Sequence, residues 1–349
     1  MLLLSKIIIG EDMNFGVLSK YRSTLMGFAI LWVMFFHISL DFQTELGWFI
    51  HRIGFYGVDI FLFVSGIGVY FSLTKRRNVI GFYKARLIRI LPAYIIVACL
   101  SFFLLRPDGS GVLHFISYIS GLGYWTRHIR FDWYIPTQIA FYLITPLFLC
   151  FYKKISEKSR VAYTVLWMTL SPIITAIFYY VDLEYLWGST VRLAIFFLGI
   201  HMGSLVYEKK TFGKGTVALS FAAFVIGTCA AYFINKVKEP TFIQSGLNCY
   251  PALIMIPSMC LLISLGLSVL DRKIPRVTKY INLPFEILGR YSLELYLLHQ
   301  RLQSILSRYL EIHNQCLILI VTVVTALLLG KTISVVQSAL KTYRKKAII

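Results

Sequence analysis

His37 closes an apolar run, Gly27-Phe-Ala-Ile-Leu-Trp-Val-Met-Phe-Phe-His37-Ile-Ser-Leu40. An imidazole titrates near neutrality, so it is suited to taking a proton from an attacking hydroxyl. A titratable group inside hydrocarbon costs on the order of a few kcal/mol, which marks it for a cavity and a purpose. Asp41 follows four residues later, one turn outward on the same face if the helix continues, where a carboxylate would hold the imidazole's tautomer. Further on, Gly57-Val-Asp-Ile-Phe-Leu-Phe-Val-Ser-Gly66 places Asp59 and Ser65 in a second apolar run. Lys84-Ala-Arg86-Leu-Ile-Arg89-Ile-Leu-Pro92 then sets two arginines three apart at a predicted helix start. Both guanidinium groups would project from one face, where their forks and the helix dipole suit phosphate oxygens.

The elements that must hold these groups are membrane helices. With 58% hydrophobic residues, 16% aromatic residues and a mean hydropathy of +0.71, the 349-residue chain is too apolar for a soluble domain of its length. Apolar stretches of about 20 residues tile it, each long enough to cross a hydrocarbon core of about 30 Å. The pattern predicts an all-α polytopic bundle forming one domain over 1–349. Its ten spans lie near 23–41, 54–73, 87–105, 133–152, 161–181, 190–207, 216–235, 249–270, 288–307 and 315–340. Residues 106–132 are too short and too glycine-broken to cross, and read as an external cap or a re-entrant piece.

Orientation follows from the basic residues. Of 35 Lys and Arg, 25 fall on the segments that ten spans place with the two termini, and 7 on the opposite loops. That asymmetry puts both termini in the cytoplasm. The net charge of +19 is therefore mostly a topology signal answered by anionic lipid headgroups, and no nucleic-acid partner is expected. The six cysteines are scattered without metal or redox spacing, so no metal site is expected. Neither a dinucleotide fingerprint nor a P-loop is present, and no permanently bound cofactor is expected.

Six fragments taken in order carry a family resemblance. They are Met26-Gly-Phe-Ala to His37; Gly57-Val-Asp59-Ile-Phe to Ser65-Gly66; and Arg86-Leu-Ile-Arg89-Ile-Leu-Pro92. Next come Trp133-Tyr134 to Phe141-Tyr142-Leu-Ile-Thr-Pro146, Arg192 to Phe196-Phe-Leu-Gly199, and Leu288-Gly-Arg-Tyr-Ser292 to Tyr296-Leu-Leu-His299. With these the chain resembles the membrane-bound acyltransferase-3 family, the integral-membrane O-acyltransferases of bacterial cell-surface carbohydrates. The resemblance implies a multi-pass protein of the bacterial cytoplasmic membrane, with acyl-coenzyme A as donor, acetyl-CoA foremost. The acceptor it implies is a surface glycan or a lipid-linked sugar. It implies that His37 is the catalytic histidine and that Arg86 and Arg89 handle the donor. The family's first span typically carries an arginine eleven residues before the histidine. Here that position is Met26, and Arg22, one turn nearer the cytoplasm, is the candidate substitute.

The mechanism this suggests has His37 as general base, the thioester reaching it from the inner face and the acceptor hydroxyl arriving from outside. Direct transfer and a covalent acyl-enzyme on Ser65 both fit the residue types. Arg192 is expected to pair with Asp59, structurally or in substrate binding. His299 is a candidate substrate-binding group, and Trp133 and Tyr134 form either an aromatic belt or a stacking surface for a sugar. A flippase for a lipid-linked sugar and a non-catalytic family member are the competing classes. The acceptor, the acyl group and the oligomeric state are not encoded in any motif.

Overall fold

The computed structural model describes residues 13–40, 42–76, 78–105, 111–126, 132–237 and 245–346. Among them the regular structure is helical, with one isolated β-bridge, Asn14 to Thr211, in place of a sheet. Helices are what hydrocarbon permits, because each backbone N–H and C=O must find its partner within the segment. Eight are long and apolar enough to cross a membrane: Glu45–Lys75, Val79–Leu105, Tyr134–Tyr152, Glu157–Tyr180, Trp187–Tyr207, Lys214–Lys236, Leu247–Lys273 and Gln315–Leu340. Each overlaps a predicted span, so the chain is a polytopic helical bundle.

The other two predicted spans are helices of a different character. The first is Arg22–Phe36, only 15 residues long. The second is Ser292–Leu310, which carries Glu294, Arg301 and Arg308. It is separated at Tyr291 from Pro275–Arg290, a helix with basic residues on an otherwise partly apolar surface.

The chain falls into two compact units. The first gathers the described residues of Met1–Phe36, Asp41–Phe82 and Thr137–Gly289; the second gathers those of His37–Leu40, Tyr83–Pro136 and Arg290–Ile349. In the first, the Gly57–Arg76 helix is the central rod, with Ile60, Leu62, Phe63 and Val69 fully buried. It crosses Leu193–Tyr207 backbone to backbone. A Cβ on Gly66 would sit 2.5 Å from the Phe196 carbonyl oxygen, and one on Gly199 would run into the Phe63 carbonyl. Small residues permit this approach, the usual way membrane helices gain packing contact where lipid removes the hydrophobic driving force.

In the second unit, Val79–Leu105 from Tyr83 onward runs in the same direction as Ser292–Leu310. Arg89 acts electrostatically on Glu294 near one end. At the other end Arg308 Nη1 donates to the Leu105 carbonyl at 2.8 Å, and Tyr309 OH donates to the Leu104 carbonyl. Gln337 of the Gln315–Lys346 helix donates to the Ile88 carbonyl at 3.0 Å.

Two local expectations are corrected. The first helix ends at Phe36, and His37–Leu40 are not helical. The cause is aromatic: the chain turns so that Phe42 folds back onto Phe35 and His51, at centroid distances of 5.5 and 5.1 Å. The helix therefore does not continue past His37, and Asp41 itself lies outside the described residues. The second correction is to the arginine helix, which starts at Val79 rather than 87 because Asn78 caps it, its Oδ1 accepting from Gly81 N at 3.1 Å. Arg86 and Arg89 thus sit more than a turn inside, beyond the reach of the helix N-terminal charge. The glycine-broken segment, expected not to cross, holds two short helices, Val112–Ser120 and Leu122–Thr126. Gly121 joins them at φ 73°, a left-handed turn that glycine adopts without strain.

Candidate active site

His37 leaves the end of its helix and belongs to the second unit, where it meets His299. The two imidazole rings stand edge to face, centroids 4.9 Å apart and planes at 71°. His299 lies on Ser292–Leu310, 8% exposed. Its Nδ1 is 2.6 Å from the Tyr296 carbonyl oxygen. A carbonyl only accepts, so in the neutral ring Nδ1 carries the proton and Nε2 is left as a bare acceptor. That Nε2 is buried without a hydrogen-bond partner.

Tyr296 also connects the pair to the start of the Tyr134–Tyr152 helix. Its hydroxyl donates to Asp132 Oδ1 at 3.1 Å, and its ring packs against Tyr134 at 4.8 Å. Asp132 is the N-terminal cap of that helix, accepting from Tyr134 N at 3.1 Å and Ile135 N at 2.8 Å. Burial raises its carboxyl above the ordinary aspartate value, against the pull of those two N–H groups, the Tyr296 hydroxyl and the Arg301 charge. Asp132, Tyr296, Leu297, His299, Gln300 and Arg301 together line a small pocket, with room for about one water molecule.

Arg86 and Arg89 belong to this same unit, Arg86 half-buried and Arg89 exposed. Arg89 is level with Glu294, and His299 lies five residues beyond Glu294. At 1.5 Å per residue the arginine pair therefore stands roughly 8–12 Å along the helix axes from the histidine pair.

The first unit holds the remaining charges. Arg192 Nε is 3.4 Å from Asp59 Oδ1, with side chains 3% and 2% exposed, and Arg192 Nη1 also donates to the Gly188 carbonyl at 3.0 Å. Ser65 is buried on the same rod, its Oγ 3.0 Å from the Tyr142 hydroxyl. Its partner is thus a phenol and not a base. Arg22 is exposed at the start of Arg22–Phe36.

The family model for an acyltransferase domain, acyltransferase-3, matches residues 25–335, nearly the whole chain. The chain belongs to the acyltransferase-3 family. Neither a curated protein nor a solved structure matches it. Membership with eight membrane-length apolar helices makes this acyltransferase-3 protein a multi-pass integral-membrane acyltransferase.

Of the residues singled out in sequence, His37, His299, Trp133, Tyr134, Arg86 and Arg89 gather in one unit, and Asp59, Ser65, Arg192 and Arg22 in the other. Asp132, Tyr296, Gln300 and Arg301 were not singled out. An aspartate two residues before a helix start is a capping signal that would have drawn attention to Asp132. Arg301, a cation in an apolar span two residues after His299, carried the same energetic anomaly as His37.

Proposed function

We propose that this acyltransferase-3 protein moves an acyl group, acetyl in the simplest case, from cytoplasmic acyl-CoA to a hydroxyl of a cell-surface or lipid-linked glycan. The setting is the bacterial cytoplasmic membrane, with both termini cytoplasmic. The observation that carries the reading is the His37–His299 pair beside a polar pocket, in the unit that also presents Arg86 and Arg89. His37 takes the proton of the acceptor hydroxyl as its oxygen attacks the thioester carbonyl. The C–S bond then breaks, and the coenzyme A thiolate recovers a proton. Arg86 and Arg89 hold the donor's phosphates as guanidinium forks.

Direct transfer needs only these groups. An acyl-enzyme on Ser65 needs a base to activate its Oγ, and the hydroxyl of Tyr142 is a poor one, so the direct route is the simpler assignment. Trp133, Tyr134 and His299 lie on the acceptor side of this scheme. Asp59 with Arg192 supports it from the first unit.

Membranes carrying the protein, incubated with radiolabelled acetyl-CoA and cell-envelope glycan, test the reading. Label should reach the glycan with wild-type protein and be lost with His37→Ala. Undiminished transfer by that variant would remove His37 as the base.

A further inference from the structure

The helix Pro275–Arg290 is built the wrong way round for a protein in water. Its inward face is small and polar, with Thr278, Asn282 and Gly289 buried. Its outward surface divides into two flanks at the helical repeat of about 3.6 residues. One flank exposes Val277, Tyr280, Ile281 and Ile287, Tyr280 by 75%. The other exposes Arg276, Lys279 and Glu286, with Leu283 among them. Arg272 and Lys273, also exposed, stand just before the helix, so four cations stand against one acid. The acid next to them in sequence, Asp271, is already answered by Lys20 at 2.7 Å and by the Tyr21 hydroxyl. Among the described residues no ion pair engages any of the four cations.

The neighbouring elements limit where this surface can lie. Leu247–Lys273, a helix of membrane length, runs into it with Ile274 between the two. The 16 residues rise about 24 Å, short of a hydrocarbon core of about 30 Å. Crossing would also bury Arg276, Lys279 and Glu286 in hydrocarbon, where charges are expensive. On its inner side the helix is held against Arg22–Phe36. A Cβ on Gly27 would run into the Phe285 carbonyl, and one on Gly289 into the Ser23 carbonyl. Two such points of backbone contact fix its rotation, so the apolar and basic flanks face outward together.

Three kinds of occupant differ in what they bring to these flanks. A second copy of the chain seated on the same face would set four cations against four. A soluble protein would need an apolar strip and an acidic strip side by side. A bilayer surface has both at once, acyl chains below and phosphates above.

We propose that Pro275–Arg290 lies in the plane of the membrane surface and binds anionic phospholipid headgroups through Arg272, Lys273, Arg276 and Lys279. Val277, Tyr280, Ile281 and Ile287 sink among the acyl chains. The four cations reach the phosphates of neighbouring lipids, each worth about fivefold in binding. Through the two glycine contacts, the lipid layer is tied to Arg22–Phe36, the helix that ends one residue before His37.

Full-length protein in nanodiscs holding one copy each tests this without any measurement of transfer. A photoactivatable phosphatidylglycerol, with its reactive group high on one acyl chain, is compared with the matching phosphatidylcholine. Adducts are read by mass spectrometry on the peptide covering 275–290. Phosphatidylglycerol should label that peptide the more strongly. Arg276→Gln combined with Lys279→Gln should cut its labelling about 25-fold at limiting probe, fivefold for each charge removed, and spare labelling by phosphatidylcholine. Both side chains are exposed, so the wild-type unfolding profile should persist and separate lost binding from lost fold. Equal labelling by the two lipids, or phosphatidylglycerol labelling that survives the double substitution, overturns the proposal.

Tyr280→Cys and Glu286→Cys then report on the two flanks. With a membrane-impermeant maleimide read at the same peptide, the first thiol should react at least tenfold more slowly than the second. Equal rates would lift the helix off the membrane and overturn the proposal. A slow Tyr280→Cys thiol on a peptide that takes neither lipid probe would mean that protein covers this face, which overturns it as well.

Discussion

The two units hold their charged side chains in opposite ways, enclosed in the first and half-buried in the second. In the first, Asp59 and Arg192 face each other at 3.4 Å beside a glycine-mediated helix crossing, almost wholly enclosed. In the second, Asp132 and Arg301 line a pocket and His299 keeps a buried nitrogen unpaired. A buried ion pair is costly to form and more costly to break, and it makes a good internal strut. A charged group left with an unused hydrogen-bonding position beside a pocket does little for stability and much for recognition. On this contrast we propose that the first unit is scaffold and the second carries the chemistry.

The sharpest way to break the contrast is to compare one substitution from each side. His37→Ala should lower acyl transfer by about 10²- to 10⁴-fold, the usual worth of a general base, with the thermal unfolding profile in detergent unchanged. Arg192→Ala should instead destabilise by about 3–5 kcal/mol, because Asp59 is left as an uncompensated buried charge. The readout is early loss of monodisperse protein on heating. Pairing Arg192→Ala with Asp59→Asn should recover much of that loss. If Arg192→Ala left stability intact and removed activity alone, the first unit would not be mere scaffold.

Smaller changes sharpen the division within the second unit. Arg86→Ala and Arg89→Ala should each raise KM for acyl-CoA about tenfold to a hundredfold and spare KM for the glycan. Tyr296→Phe deletes one hydrogen bond to Asp132, which at about 1 kcal/mol should lower kcat/KM for the glycan roughly fivefold while the Nδ1 bond of His299 to the backbone carbonyl persists.

Much of this was legible along the chain. Eight of the ten predicted spans correspond to helices of membrane length, because hydrocarbon length and apolarity are local properties. His37 and Arg301 were visible as charges where charges are expensive. The end of the first helix was not legible, because aromatic groups from Phe42 and His51 turn the chain at His37 and only folding brings them there. The arginine helix was mis-started because the cap at Asn78 is a single side-chain bond within a charged stretch.

By itself the sequence determined the class of molecule: a helical membrane bundle of the acyltransferase-3 family with a histidine at the end of its first apolar run. Those properties are written in local composition and in motifs that keep their order. Only the tertiary structure decided that His37 meets His299, that Asp132 reaches Tyr296 across 164 positions, and that Asp59 is answered by Arg192. Such pairings depend on which helices lie side by side. In a membrane that choice is made by close backbone packing and by polar groups seeking partners, over separations that no local pattern records.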